Sequence, residues 1–379
     1  MAALKRIAVL GSTGSLGTQT LEVARAFPHR LQVVGLAAGH NHKLLEQQIG
    51  EFRPRLVAFE GDRLAPGDYH RLTAPEMAAH PEVDLVVVLT AGKAGLLPTL
   101  AALKAGKPVA LANKEVLVMA GEMVTGQARA CGVPIIPVDS EHSALWQCLR
   151  GEEAGQVARL VLTASGGPFR HLPTPELETV DAARALAHPT WSMGPKVTVD
   201  SATLMNKGME VIEAHWLFSL PYDRISVVVH PQSIVHSLVE FADGSLKAQL
   251  SAPDMRLPIQ YALSYPERWP GPGWGRLRLE EAPPLTFEPP DTARFPCLRL
   301  AVEAGQAGGT APAVLAAADE VAVSLFLKGR LGFTGIPRLI EAVLARHPPL
   351  PPPTPRPAPT GMATPNSGQN SRPTARTVP

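Results

Sequence analysis

The sequence predicts an α/β protein of more than one domain: a parallel, doubly wound sheet first, an α+β middle part with antiparallel strands next, and a small helical part last. Three observations carry this. At 379 residues the chain is long enough for two or three cores. Its first third alternates short β-branched runs with helical stretches, the pattern of strands joined by crossover helices. After Asp139 the texture changes to strands in close succession and then to helix.

In chain order, the first-third strands are Arg6 to Leu10, Gln32 to Leu36, Leu56 to Phe59, Asp84 to Leu89, Pro108 to Leu111 and Val133 to Val138. A further apolar strand, Leu160 to Thr163, precedes a polar stretch from His171 to Pro195 that has the composition of a mobile lid. Ile225 to His230, Ser233 to Phe241 and Ser245 to Leu250 read as consecutive antiparallel strands, with Asp243 and Gly244 turning between the last two. This sheet is a candidate dimer surface. Pro and Gly crowd Pro266 to Pro296 as in an extended connection, and Leu298 to Ala345 is mainly helical in pattern. From Pro348 to Pro379, 11 of 32 residues are Pro and none is acidic or aromatic, a composition that buries no core and predicts disorder. The expected division is therefore 1–139, 140–264, a linker 265–296, 297–347 and a tail 348–379.

Lys and Arg total 35 against 34 for Asp and Glu, so the net charge of +1 offers no footprint for nucleic acid or an anionic membrane. An anionic substrate would have to be met by a local site. Cys131, Cys148 and Cys297 form no CxxC pair, which argues against disulfides and thiolate zinc and fits a reducing cytoplasm. The first apolar run is too short for a signal peptide, and no run approaches the roughly 20 residues of a membrane span.

The first strand runs into Gly11, Ser12, Thr13, Gly14, Ser15, Leu16 and Gly17, a GxxGxxG turn ahead of a helix. Glycines there let backbone N–H groups approach a pyrophosphate at the positive end of the helix dipole. A ligand-free Gly-rich turn is the alternative. The second strand ends in Ala38, Gly39, His40, Asn41, His42 and Lys43, without the carboxylate that NAD-preferring sites place there, which favours NADPH.

Asp139, Ser140, Glu141 and His142 follow a strand at the edge where open α/β sheets hold ligands, and Glu210 sits in a second polar run from Asp200. Three carboxylates without Cys or paired His suit a hard, oxygen-seeking cation such as Mg or Mn, although structural salt bridges remain open for each. Ser165 with Gly166 and Gly167, then Ser201, Asn206 and Lys207, supply donors and a cation for phosphate. His188, Trp191 and Met193 combine a titratable donor with bulky apolar groups, as a water-excluding lid needs. Before the tail the chain has only Asn41, Asn113 and Asn206: Asn41 and Asn113 each follow a strand of the first third, and Asn206 lies in the second polar run.

With these residues assembled, the chain resembles the 1-deoxy-D-xylulose 5-phosphate reductoisomerase family from the first strand through about Ala345. The matching motifs are GSTGSLG at Gly11 to Gly17, LANKE at Leu111 to Glu115, PVDSEHSA at Pro137 to Ala144, SGGPFR at Ser165 to Arg170, HPTWSMG at His188 to Gly194, and VDSATLMNKGME at Val199 to Glu210. The resemblance implies a Rossmann-like NADPH-binding domain, an α+β catalytic domain with an antiparallel dimerisation sheet, and a small C-terminal helical domain. It implies that Thr13, Gly14, Ser15 and Leu16 line the NADPH pyrophosphate, that Gly39, His40 and Asn41 face the adenosine end, and that Asn113, Glu115 and Gly194 complete the cofactor site. Asp139, Glu141 and Glu210 would hold one divalent cation, Mg, Mn or Co.

By the same resemblance, Lys114, Ser140, Glu141, Ser165, His188, Ser201, Asn206, Lys207 and Glu210 would hold the substrate, with Lys114, Glu141 and His188 at the chemistry. Trp191 and Met193 would belong to the closing flap and Met255 would lie near the site. The implied reaction rearranges 1-deoxy-D-xylulose 5-phosphate to an aldehyde and reduces it with NADPH to 2-C-methyl-D-erythritol 4-phosphate, in non-mevalonate isoprenoid synthesis, by a cytoplasmic homodimer. Two departures stand out. His40 replaces the Lys or Arg more usual in the family, and the texture breaks at Pro348 where the family continues as helix, which suggests a frame change or a shortened helical domain. Another dinucleotide-dependent dehydrogenase would explain the first 130 residues but not the carboxylate set beside a phosphate site. A non-catalytic NADPH-binding regulator would explain nucleotide binding without turnover.

Overall fold

A computed structural model describes residues 4–61, 64, 67–187, 191 and 193–351. His188 and the Pro-rich segment from residue 352 onward lie outside the described residues.

The first unit is a seven-stranded parallel sheet. Its strands are β1 (Lys5–Leu10), β2 (Leu31–Ala38), β3 (Leu56–Phe59), β4 (His70–Arg71), β5 (Leu85–Val88), β6 (Val109–Leu111) and β7 (Ile135–Pro137). The strand order β4-β3-β2-β1-β5-β6-β7 reverses direction at β1, so the crevice at its C-terminal end is the topological switch point where such sheets bind ligands. Every residue of β5 and the last four of β1 are buried, as continuous apolar runs covered on both faces must be. The covering helices are α1 (Ser15–Ala26), α2 (His42–Phe52), α3 (Ala74–Ala79), α4 (Leu96–Lys104) and α5 (Lys114–Cys131). Asn41 caps α2 by accepting from Leu44 N, and Asn113 caps α5 by accepting from Val116 N. The two-residue edge strand β4 carries too little pattern to be read from sequence.

After β7 the chain enters α6 (Ser140–Cys148), then β8 (Val157–Ala164), α7 (Ala182–Ala185), α8 (Pro195–Thr203) and α9 (Met205–Phe218), followed by β9 (Ile225–Val229), β10 (Val235–Phe241) and β11 (Leu246–Leu250). The sequence predicts consecutive antiparallel strands here. The structure corrects this: the sheet is mixed, in the order β11-β10-β8-β9, with β9 parallel to β8 from Leu160 opposite Ile225. The reason is the helical crossover: α8 and α9 return the chain to the same end of the sheet before β9 begins, and a return of that kind makes a parallel neighbour. Only β10 and β11 form a hairpin, turned at Asp243 and Gly244 as predicted.

Helix α10 (Arg256–Ser264) packs back on α1, and its Ile259, Ala262 and Leu263 join the core of the parallel sheet together with Trp269. The last helices are α11 (Cys297–Ala307), α12 (Ala311–Leu327) and α13 (Gly335–Ala345). They share one continuous apolar cluster with β8 and α9, running from Val118 and Leu160 through Met209 and Ile212 to Leu315 and Ile340. Each fully buried Leu or Ile there contributes about 1.5–3 kcal/mol of transfer free energy, so the helical end is fastened to the middle unit by burial.

Candidate active site

Most chemistry-bearing side chains are delivered by the ends of elements, with Glu210 one turn farther into α9 (Met205–Phe218). Lys114 is the first residue of α5, immediately after β6, and Asp139, Ser140 and Glu141 open α6 after the adjacent strand β7. Adjacent parallel strands therefore bring these groups to one sheet edge. Opposite them, α8 ends at Leu204, a bulky residue held at φ 62°, which turns the chain directly into α9. L-residues pay roughly 1–2 kcal/mol for that left-handed conformation. The turn brings Ser201, in the last turn of α8, beside Asn206 and Lys207 in the first turn of α9.

The carboxylates interlock with two buried lysines. Lys114 Nζ lies 2.7 Å from Asp139 Oδ2 and 3.0 Å from Glu210 Oε1, and it donates to Asn206 Oδ1 at 2.8 Å. The Asp139 contact is a short, largely buried, charge-assisted one, and Lys114 is the near partner of Oδ2 among the described residues. Lys207 Nζ donates to Glu141 Oε1 at 2.8 Å and to Glu210 Oε2, while Asn206 Nδ2 donates to Glu210 Oε1 at 2.6 Å. Ser140 Oγ donates to Glu141 Oε2 at 2.6 Å.

Burial opposes the charge on Lys114, but Asp139, Glu210 and Glu213 outweigh it and hold the ammonium well above its usual range. Lys207 is raised in the same way by Glu141 and Glu210 against the cost of burial. Burial and the charge of Glu141 push the Glu210 carboxyl up to about 7. Behind Asp139, fully buried His142 is lowered by burial to about 4, and burial raises Glu213 far above the carboxylate range. Burial thus favours the neutral form of both. The ring donates from Nε2 to the Glu210 carbonyl at 2.9 Å and presents Nδ1 to Glu213 Oε2 at 3.4 Å, a dry brace under the two acidic residues.

A cavity of ≈ 560 Å³ opens over this cluster. Its walls include Ser15 and Leu16 from α1, Ser165 and Gly166 after β8, Trp191, Met193 and Gly194 ahead of α8, and Met255 with Arg256 at α10.

Family models for 1-deoxy-D-xylulose 5-phosphate reductoisomerase match residues 7–121, for the C-terminal domain of that enzyme residues 135–218, and for a second DXP reductoisomerase C-terminal domain residues 250–360. The 1-deoxy-D-xylulose 5-phosphate reductoisomerase of Pelotomaculum thermopropionicum is 57% identical over 357 residues, covering 91% of this chain and 92% of the relative. The chain belongs to the 1-deoxy-D-xylulose 5-phosphate reductoisomerase family. The reductoisomerase of Heliobacterium modesticaldum is 55% identical over 358 residues, 91% of each chain. Among solved structures, a DOX-P reductoisomerase in complex with NADPH, fosmidomycin and magnesium superposes with a TM-score of 0.86 at 40% identity over 90% of both chains. The Zymomonas mobilis 1-deoxy-D-xylulose 5-phosphate reductoisomerase in complex with NADPH gives 0.86 at 39% identity, over 93% of this chain and 94% of that one.

The residues present fit a hard divalent cation. Oxygens of Asp139, Glu141 and Glu210 all lie within 4.8 Å of one another, an all-oxygen donor set, and the ammonium groups of Lys114 and Lys207 stand among them as monovalent counter-charges. The glycine turn fits a dinucleotide. Gly11 is held at φ +92°, and a Cβ on Gly17 would lie 2.2 Å from Gly11 O, so the turn packs against the start of α1 only without side chains.

Of the residues expected from the sequence, Ser15, Leu16, Lys114, Asp139, Ser140, Glu141, Ser165, Gly194, Ser201, Asn206, Lys207 and Glu210 come together around this cavity. Thr13 and Gly14 belong to the same turn, with Gly14 exposed at the N-cap of α1, while Gly39, His40 and Asn41 follow β2 farther along the sheet edge. Asn113 is buried, and its side chain is used by the α5 cap and by donation to Gly92 O at 2.9 Å. Glu115 does not line the cavity, and its charge is felt instead by Lys196, Asp200 and Asp319.

The sequence reading missed Ser233, His236 and Arg256, which line the cavity. His236 Nε2 pairs with Ser251 Oγ at 2.8 Å across the β10–β11 hairpin. A histidine at the start of a mostly apolar strand run was the signal available.

Proposed function

We propose that this protein converts 1-deoxy-D-xylulose 5-phosphate to 2-C-methyl-D-erythritol 4-phosphate with NADPH and one divalent cation. The observation that carries the reading is the joining, in one cavity, of a dinucleotide turn, a three-carboxylate cluster with two buried lysines, and a Ser-rich set of donors. When bound, a divalent cation supplies Lewis-acid polarisation of a ketone and NADPH supplies hydride.

The chain's own residues bind, orient and exclude water. Asp139, Glu141 and Glu210 would hold the cation, with Lys114 and Lys207 released from them toward substrate oxygens. Ser165, Ser201, Asn206 and Lys207 offer hydroxyl, amide and ammonium donors to the phosphate, whose binding energy can be spent on closing the site. Trp191 and Met193 would cover the reacting carbons, and His188 would add a donor from the same segment. Thr13, Gly14, Ser15 and Leu16 would meet the pyrophosphate and Gly39, His40 and Asn41 the adenosine end. Asn113, Glu115 and Gly194 complete this proposed set.

Finer readings belong here too. A nucleotide unit of 1–139, a catalytic unit of 140–264 and a helical unit of 297–347 accord with the two sheets and the terminal helices. We read the outer edge of β11, where Leu246 is exposed, as the seat of a second copy in a homodimer. Among the described residues no helix is long and apolar enough to cross a membrane, and a cytoplasmic location with Mn or Co able to replace Mg extends the reading. The test is NADPH absorbance with the purified protein, 1-deoxy-D-xylulose 5-phosphate and Mg or Mn, with an EDTA control and Glu141→Gln. Metal-dependent oxidation lost in the variant is expected. NADPH binding without turnover would overturn the enzyme reading.

A further inference from the structure

Helix α8 connects three things: it follows the Trp191, Met193 and Gly194 segment, it carries Ser201 into the cavity, and it backs the Ser165–Gly167 turn. The contact with that turn is tight, since a Cβ on Gly167 would lie 2.8 Å from Ser201 O and 3.0 Å from Ala202 Cα. The outer side of α8 meets α12 at one polar point inside an apolar core. Lys196 Nζ donates to Asp200 Oδ2 at 2.5 Å and to Asp319 Oδ2 at 2.6 Å. Asp200 and Asp319 are 2% and 0% exposed, and the Oδ1 atom of each is buried without a hydrogen-bond partner.

When both are ionised, two buried carboxylates on one ammonium, itself 26% exposed, are one negative charge in excess, and breaking a pair of this kind leaves an uncompensated charge. We propose that Lys196, which is partly exposed, and the buried Asp200 and Asp319 form a positioning triad through which the C-terminal helices hold α8, and with it Ser201 and the Trp191, Met193 and Gly194 segment, in the geometry that binds the sugar phosphate. Asp319 acts only through Lys196 and Asp200, because it lies on α12 and does not line the cavity. The inference rests on the proposed reaction for its substrate and on the side-chain geometry for the triad itself.

The charge excess makes the triad sensitive to pH. Burial and the facing Asp319 carboxylate push Asp200 up to about 8, burial raises Asp319 as well, and Lys196 remains charged. The other groups facing the triad are Glu115 from α5, Thr203 of α8 and Cys297 of α11, and burial holds the Cys297 thiol protonated. Near neutrality the two carboxyls therefore share a proton. Above about pH 8 that proton leaves, and the second negative charge loosens α8 from α12. An amide at position 319 would keep the acceptor for Lys196, donate to Asp200, and remove the excess charge.

The test compares wild type with Asp319→Asn, Asp319→Leu and Lys196→Met. Steady-state constants for each substrate are measured from pH 6 to 9.5, with amide hydrogen exchange of residues 195–203. Asp319→Leu and Lys196→Met should raise KM for the sugar phosphate roughly tenfold while KM for NADPH stays within about twofold, with faster exchange in α8. Asp319→Asn should keep wild-type KM and exchange at pH 7 and abolish the wild-type rise in KM above pH 8. Unchanged KM and exchange in Asp319→Leu, or damage in Asp319→Asn equal to that in Asp319→Leu, would overturn the triad. Should the wild type not turn over 1-deoxy-D-xylulose 5-phosphate, the proposed reaction fails, and the exchange comparison still decides the triad.

Discussion

Lys114 and Asp139 face each other at 2.7 Å across the ends of two neighbouring parallel strands, a largely buried ammonium against a largely buried carboxylate. With Lys207 between Glu141 and Glu210, the cluster sets three carboxyl groups against two lysines and attracts a cation of higher charge.

Binding of Mg should therefore stabilise the fold. At a hundredfold excess over Kd the linkage amounts to about 2.7 kcal/mol, a rise of a few degrees in Tm. Differential scanning fluorimetry with and without Mg measures it. The shift should vanish in a Glu141→Gln, Glu210→Gln double variant.

Cation affinity should fall as pH drops below about 7, because burial and Glu141 raise Glu210 to about 7 and the ion must displace its proton. For one proton the loss is about tenfold per pH unit. The sign for the metal-free protein is the reverse: a carboxyl with a raised folded-state pKa costs stability progressively as pH climbs from its ordinary value of 4.5 toward 7. Titration calorimetry at pH 6 and 8 should show weaker binding and proton release at the lower pH.

Gly17→Ala should destabilise the protein by about 1–3 kcal/mol and weaken NADPH binding, since the new methyl would meet Gly11 O at 2.2 Å and Ser12 backbone at 2.5 Å. Gly126→Ala is the matching control. That glycine lies within α5 with nothing near its missing Cβ, so alanine there should stabilise by about 0.5–1 kcal/mol. Thermal melts and NADPH fluorescence titrations separate the two outcomes.

His40 is exposed after β2 and is the candidate partner of the 2'-phosphate. His40→Ala should lower the ratio of kcat/KM for NADPH over NADH several-fold and His40→Arg should raise it, as expected for one charge-assisted contact of about 1 kcal/mol. Equal effects on both cofactors would remove His40 from that role.

Much of this was legible in the sequence for physical reasons. The strands of the parallel sheet are short continuous apolar runs, and Leu56–Phe59 fell where the pattern put it because burial on both faces demands it. Asp139 and Glu141 stood out as carboxylates at a strand's end, and Glu210 as the acidic member of the polar run from Asp200. The order of the second sheet was hidden, because β9 sounds the same whether its neighbour is β8 or β10. Asn113 was legible as special but not as a cap, since its oxygen has two possible employers, backbone and ligand. Asp319 could not be read at all: an acidic residue in an Ala-rich helix signals a solvated face, and only the tertiary packing against Lys196 puts it at 0% exposure.

The sharing of cores has a consequence for the chain as it is made. The parallel sheet waits for Ile259, Leu263 and Trp269 to cover it, and the second sheet waits for Leu315 and Ile340. On the ribosome, apolar surface belonging to both units therefore stays open until nearly the whole chain has emerged. Synthesis that stalled after β11 would release a chain with two unfinished interiors, a substrate for chaperones or proteases.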